Sequence, residues 1–444
     1  MATLRFTEAT SIDAAPAEPA PTPAPAPTRA RSPLPPTRYL RFFFASLLFA
    51  LTFGSALGAC MLASMTLPWN FLHGLPLAAV KTAHGYAQVY GFATLFIMGV
   101  AYYVVPRFKG AALVAPGLTA PSFWLQVSGV LLVAVGMLKG EPLARFAWPA
   151  GSGAVLGAAL LFAWNINRTL ATGAATPERF EPFLQAGCLW LVAATAVGFI
   201  AGCSGRIMLQ PAVWEMALWG FVGSWLFGMS SRILPVFMGV QQLHESASRK
   251  LFISYQTAVA AWVAVALVET RHLWPAGRAV AGSVLVLSVV ALVWQLGVLG
   301  PRQRSAADAG GYAKFIVAAY AWVLVALLFA PGWTAAAAFS GAGVPALLFD
   351  FGRHAFTLGF LTQMIVGVAT RIVPVFSGAP LWSGTTRDAT FYLLNAAVVT
   401  RGLQVVVEVA GNETVWPYIA LSGVFGLAAF IAFALNVIMT IRSK

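Results

Sequence analysis

Stretches of about twenty apolar residues follow one another along most of this chain, each long enough to cross the hydrocarbon core of a bilayer as an α-helix. They read as spans near 39–66, 83–105, 120–138, 146–167, 183–204, 212–235, 251–269, 279–299, 312–331, 346–374, 390–408 and 416–439. Only 9% of the residues are charged and 59% are hydrophobic. Soluble domains carry roughly 25% charged residues, so a water-facing surface could not be covered. The expected fold class is an all-α membrane protein of about 12 transmembrane helices, with the lipid bilayer as its first partner.

The formal net charge is +13. In a soluble chain that balance would suggest nucleic acid; here no nucleic-acid partner is expected, because Lys and Arg mark cytoplasmic loops. Arg29, Arg31, Arg38, Arg107, Lys109, Arg249, Lys250, Arg442 and Lys444 fall on one predicted side, where basic residues outnumber those of the other, such as Lys81, Lys139 and Arg206. The expectation is a multi-pass protein of a bacterial inner membrane with both ends cytoplasmic. Residues 1–37 are rich in Ala and Pro, with the run Pro19, Pro21, Pro23, Pro25, Pro27. They lack the apolar core of a signal peptide and read as a disordered cytoplasmic tail. Residues 38–444 read as one transmembrane domain. Cys60, Cys188 and Cys203 form no CxxC pair and are expected to pack as small apolar residues.

An internal repeat constrains the arrangement further. GFATLFIMGVAYYVVPRFKG from Gly91, GFVGSWLFGMSSRILPVFMG from Gly220 and GFLTQMIVGVATRIVPVFSG from Gly359 share six positions without a gap. Each opens Gly-Phe. Gly99, Gly228 and Gly367 follow, then Pro106, Pro235 and Pro374, then Phe108, Phe237 and Phe376, and last Gly110, Gly239 and Gly378. Paired glycines two turns apart let a neighbouring helix approach, and a proline near a helix end can kink or close it. The copies lie four helices apart and all run the same way. The expected architecture is three four-helix arcs around a pseudo-threefold axis, unlike transporters built from two halves.

Ionisable residues in spans are costly and default to a functional reading. His73, His244 and His272 fall in predicted loops and read as solvated; His84 and His354 open the second and tenth spans. His84 stands seven residues before Gly91 and His354 five before Gly359, a depth difference of about 3 Å at 1.5 Å rise per residue. Two imidazoles on equivalent helices can hold one iron from opposite sides; the competing reading is a pair of interfacial helix-start histidines. Glu215 takes the place of His354 in the second arc, as Tyr86 does in the first. It reads as a metal-site carboxylate, a proton relay, an Arg partner or an interfacial residue. Arg353 and Arg401, near the external side, suit haem propionates, with Asp350 beside Arg353 as its neutraliser. Arg232 and Arg371 are expected to snorkel to headgroups. Met61, Met65, Met98, Met216 and Met364 would suit soft copper but form no tight motif and read as packing. No P-loop, HExxH, GxSxG or Rossmann fingerprint occurs.

The segment AHGYAQVYGFATLFIMGVAYYVVPRFKGA, from Ala83, resembles the second helix of the haem-copper oxidase catalytic subunit, with His84, Val105, Pro106 and Gly110 in the matching places. RHAFTLGFLTQMIVGVATRIVPVFSGAPL, from Arg353, resembles the C-terminal part of the NnrS family, twelve-span membrane proteins associated with haem and copper and linked to denitrification and nitric oxide stress. The resemblance implies a subunit-I-like frame over about residues 39–440. It implies a low-spin haem ligated by His84 and His354, and copper only weakly. The oxidases also use a His on helix six, a His pair after it and a second His on helix ten. This chain has Glu215 on helix six, no His-His pair and only His354 on helix ten. Oxygen reduction by that mechanism is not expected.

The leading expectation is an NnrS-like membrane protein with one bis-His haem b, a small gas ligand such as NO or O2 and a respiratory-chain partner. Its role would be nitric oxide or denitrification stress, or electron transfer. The alternatives are a cofactor-free transporter and a non-catalytic assembly subunit of a respiratory complex.

Overall fold

The computed structural model describes residues 37–172, 178–270, 274–300, 311–341, 343 and 345–443. The expected tail of residues 1–37 lies, but for Thr37, outside them, as does His272. Among the described residues no strand occurs, and twelve helices are long and apolar enough to cross a membrane. They are α1 Tyr39–Thr66, α2 Leu77–Phe108, α3 Pro116–Lys139, α4 Leu143–Thr172, α5 Glu181–Ser204, α6 Ile207–Met238, α7 Glu245–Val268, α8 Pro275–Leu296, α9 Ala313–Ser340, α10 Ala346–Ser377, α11 Gly384–Ala410 and α12 Glu413–Arg442. Successive helices touch, and α12 returns to pack on α1, closing the ring. The most apolar windows of α2, α6 and α10 are 89%, 67% and 67% buried against at most 50% for the others. The three repeat copies are therefore the inner helices.

The repeat is structural as well as sequential. Ala87–Thr94, Met216–Gly223 and Ala355–Thr362 are wound as π-helix, each from four residues before its first repeat glycine to three after. Wide winding disturbs the regular backbone ladder, so carbonyls there need other partners. Gln126 Nε2 of α3 donates to Tyr90 O at 2.8 Å, and Tyr255 Oη of α7 donates to Trp219 O. Both acceptors directly precede a repeat glycine. Thr94 Oγ1 and Thr362 Oγ1 reach back to Val89 O and Thr357 O, each at 2.9 Å.

The glycines admit a second repeat that the sequence reading missed. A Cβ on Gly91, Gly220 or Gly359 would lie 2.7, 2.6 or 2.7 Å from Phe49, Trp190 or Trp322. On Gly99, Gly228 or Gly367 it would lie 2.7, 2.6 or 2.9 Å from the Cβ of Phe42, Phe183 or Phe315. The first helix of every arc thus carries two aromatics seven residues apart that press on the paired glycines. Gly110, Gly239 and Gly378 end the copies at φ 58°, 64° and 68°, a left-handed conformation open to glycine.

At the end of the bundle where the repeats close, each arc leans on the one before it. The Arg232 guanidinium lies 5.0 Å over the Phe108 ring and that of Arg371 5.9 Å over Phe237. Tyr103, at the equivalent place, has its ring 3.9 Å from that of Phe376. The two arginines stay at that end of the bundle, Arg371 exposed and Arg232 partly so, and the aromatic contacts stand beside the headgroup expectation without replacing it. Their side chains are held at arc seams by aromatic faces, and Arg232 Nε also pairs with Glu178 at 2.8 Å. The buried Lys109–Glu181 pair, 2.7 Å apart, joins the first arc to the second. Of the cysteines, only Cys188 is buried; Cys60 and Cys203 stand on exposed outer faces, so the packing expectation holds for one of the three.

Candidate functional site: a two-histidine cavity

α2 and α10 both start after a proline, Pro76 and Pro345. His84 and His354 therefore sit about two turns inside their helices, not at their openings as expected: α2 begins before the expected residue 83, and α10 begins at the expected residue 346, well ahead of His354. Both histidines line one cavity of about 370 Å³ between α1, α2, α6, α10, α11 and α12. Leu62, Val89, Phe92, Leu358, Leu361 and Phe430 supply much of its apolar wall.

Each imidazole is fixed through the same nitrogen. Nδ1 of His84 meets Gly54 O at 2.8 Å, and Nδ1 of His354 meets Asp350 O at 2.8 Å. A carbonyl only accepts, so Nδ1 carries the proton and Nε2 keeps its lone pair. Neither Nε2 has a hydrogen-bond partner among the described residues. A second contact orients His84: a Cβ on Gly58 would lie 2.6 Å from its Cε1 and 2.7 Å from its Nδ1. Gly54 faces Gln88 in the same way, at 2.8 Å. The Gly54–Gly58 pair is a GxxxG spacing, visible in the sequence itself. It opens one face of α1 to the imidazole and to the amide one turn on.

The charged residues divide differently from the expectation. Asp350 does not neutralise Arg353. Its Oδ2 accepts from Arg401 Nη2 at 2.6 Å and from Gln404 Nε2 at 3.0 Å, and its Oδ1 lies 3.6 Å from His354 Nδ1. Gln404, not foreseen, completes this cluster across α10 and α11. Buried Arg401 keeps an Nε with no partner among the described residues. Arg353 instead donates to Glu215 Oε1 at 3.2 Å, and Trp262 Nε1 donates to Glu215 Oε2 at 2.9 Å. The structure brings His84, His354, Arg353 and Arg401 to one cavity and leaves Glu215 outside it. Its helix turns the carboxylate toward α7, into a neighbouring cavity of about 740 Å³. Among the described residues no three His, Cys, Asp or Glu side chains gather as a metal-ion site, so Glu215 has no companions there for a metal role.

Residues 38–274 match the family model described as Cytochrome C and Quinol oxidase polypeptide I. Among curated proteins, the heme-copper oxidase subunit I+III of Aeropyrum pernix is 35% identical over 115 residues, which cover 23% of this chain and 14% of that protein. The matched part is thus a small fraction of the relative's own length.

Proposed function

Because this chain belongs to the family of cytochrome c and quinol oxidase polypeptide I, a membrane-embedded haem-copper oxidase subunit I family, we propose that it binds one b-type haem between His84 and His354. The observation that carries this reading is the pair of imidazoles in one cavity, each with Nδ1 on a backbone carbonyl and Nε2 free. Outer partners of this kind fix ring orientation and raise ligand basicity at metal sites. The Gly54 and Asp350 carbonyls would hold both rings ready to bind iron. The unpartnered Nε of Arg401 and the guanidinium of Arg353 would meet the propionates, and the apolar wall would keep water out. A haem b held by two imidazoles supplies one-electron transfer, with gas binding when one ligand yields.

The finer role proposed is NnrS-like: electron transfer or NO handling under denitrification stress, in a bacterial inner membrane with both termini cytoplasmic and a respiratory-chain partner. The NnrS-like segment around His354 supports it, and the basic loops support the orientation.

The test is a reduced-minus-oxidised optical spectrum of detergent-purified protein made under haem-replete conditions. The expected result is a low-spin b-type signal near one haem per chain. A clean, folded protein without haem would overturn the proposal and move transport or assembly to the front. A companion variant tests the cradle without touching a ligand. Gly58→Val places a side chain where the His84 ring lies. Its haem content is expected to fall as far as in a His84 variant, while Gly117→Ala, whose Cβ meets nothing within 4 Å, keeps wild-type content.

A further inference from the structure

Two guanidiniums line the histidine cavity, and their counter-charges come from different places. Arg401 pairs with Asp350, which lines the same cavity. Arg353, the residue before His354 on α10, pairs with Glu215, which lies outside that cavity on α6 of the second arc. We propose that Glu215 is a positioning residue for the haem, and that by holding the Arg353 guanidinium it lowers the reduction potential of the iron. The inference rests on the haem reading above and gives Glu215 a part in it without contact to the group.

Glu215 is 5% exposed, and both of its oxygens are engaged. Oε1 accepts from Arg353 Nη2 at 3.2 Å, and Oε2 accepts from Trp262 Nε1 of α7 at 2.9 Å. The carboxylate cannot turn away without leaving a buried indole N–H unpaired, which is costly. The Arg353 side chain is 29% exposed, and its Cζ lies 5.0 Å over the Phe349 ring, one turn earlier on the same helix. A long arginine stem in such a place keeps many rotamers unless something holds its head. Among the described residues, Glu215 is the carboxylate paired with it.

The sign follows from charge. Reduction adds one electron at the iron and lowers its charge by one unit, with no bond made or broken. A free guanidinium in the cavity wall therefore favours the reduced form. A guanidinium paired with a carboxylate is largely cancelled at longer range, and salt screens a buried pair little. Glu215 thus opposes the pull of Arg353 on the electron. A bridge that only joined two arcs would change stability and leave the potential where it was.

The test is a spectrally monitored redox titration of the full chain in lipid nanodiscs, with haem content and thermal midpoint measured alongside. Glu215→Gln keeps the side-chain shape and removes the charge. At a fixed poise its ratio of ferrous to ferric haem should rise about tenfold, an upward shift of about 59 mV for a one-electron couple. Arg353→Gln should shift the potential downward. In the Arg353→Gln background, Glu215→Gln should change the ratio less than about threefold, because no guanidinium is left to hold. Glu215→Asp keeps the charge but withdraws it by one methylene, and should also raise the potential. The inference is overturned if Glu215→Gln leaves the potential unmoved or lowers it, if its shift is the same with and without Arg353, or if Glu215→Asp matches wild type. Any of these results in a wild type that holds haem leaves the haem proposal standing; a wild type without haem overturns both.

Discussion

His84→Ala and His354→Ala are each expected to abolish the low-spin b-type spectrum. Two imidazoles face one cavity, each offering Nε2, and a low-spin signal of the proposed kind needs both. Removing either ring leaves one-sided coordination, so haem should be lost or converted to a five-coordinate, high-spin form. Added imidazole should restore the six-coordinate spectrum wherever haem is retained, since the deleted ring leaves space for it. The two variants should differ in stability. His84 donates across helices, to Gly54 O of α1, whereas His354 donates within its own helix to Asp350 O. Losing the first also removes the ring that packs on Gly58. The thermal midpoint of His84→Ala should therefore fall further than that of His354→Ala. A wild-type spectrum in either variant would sink the ligand assignment.

The second large effect concerns the fold. Gly228→Val is expected to prevent assembly of a monodisperse protein or to lower its thermal midpoint severely. A Cβ there would lie 2.6 Å from Phe183 Cβ, 3.0 Å from Leu184 and 3.3 Å from the Phe180 carbonyl. The Leu184 methyl can rotate aside, but the Phe183 Cβ and the Phe180 carbonyl cannot yield without moving the start of α5 from α6. Overpacking of this kind costs about 1–3 kcal/mol, and more where backbone must shift. Gly99→Val and Gly367→Val should behave alike, because Phe42 and Phe315 stand at equivalent places. Gel filtration and thermal melts against Gly117→Ala decide the matter. A Gly228→Val protein as stable as that control would show that the close approach is not required.

Much of the frame was legible in the chain. Apolar runs give twelve spans because a helix must satisfy its own backbone in lipid. The Gly-Phe…Gly…Pro…Phe…Gly pattern gives three equivalent helices because close packing constrains residue type wherever a neighbour touches. The aromatic pairs Phe42–Phe49, Phe183–Trp190 and Phe315–Trp322 were equally present. They do not stand out as a repeat in the chain, because the last position changes residue type and aromatics are frequent in every span.

The site was legible only in its endpoints. His84 and His354 stood out because imidazoles in apolar spans are costly. Their carbonyl partners did not stand out, since a backbone oxygen has no letter. Pairings of charge were misjudged for a related reason. Asp350 and Arg353 are sequence neighbours, but residues three apart on a helix need not turn to each other when better partners lie across an interface. Arg401 of α11 claims Asp350, and Glu215 of α6 claims Arg353. Sequence by itself determined the span count, the threefold order and the two histidines, because burial in lipid and close helix contact act on residue type directly. Only the tertiary structure decided that both histidines share one cavity and that Glu215 faces another, because helix rotation and the pairing of charges depend on what the other arcs present.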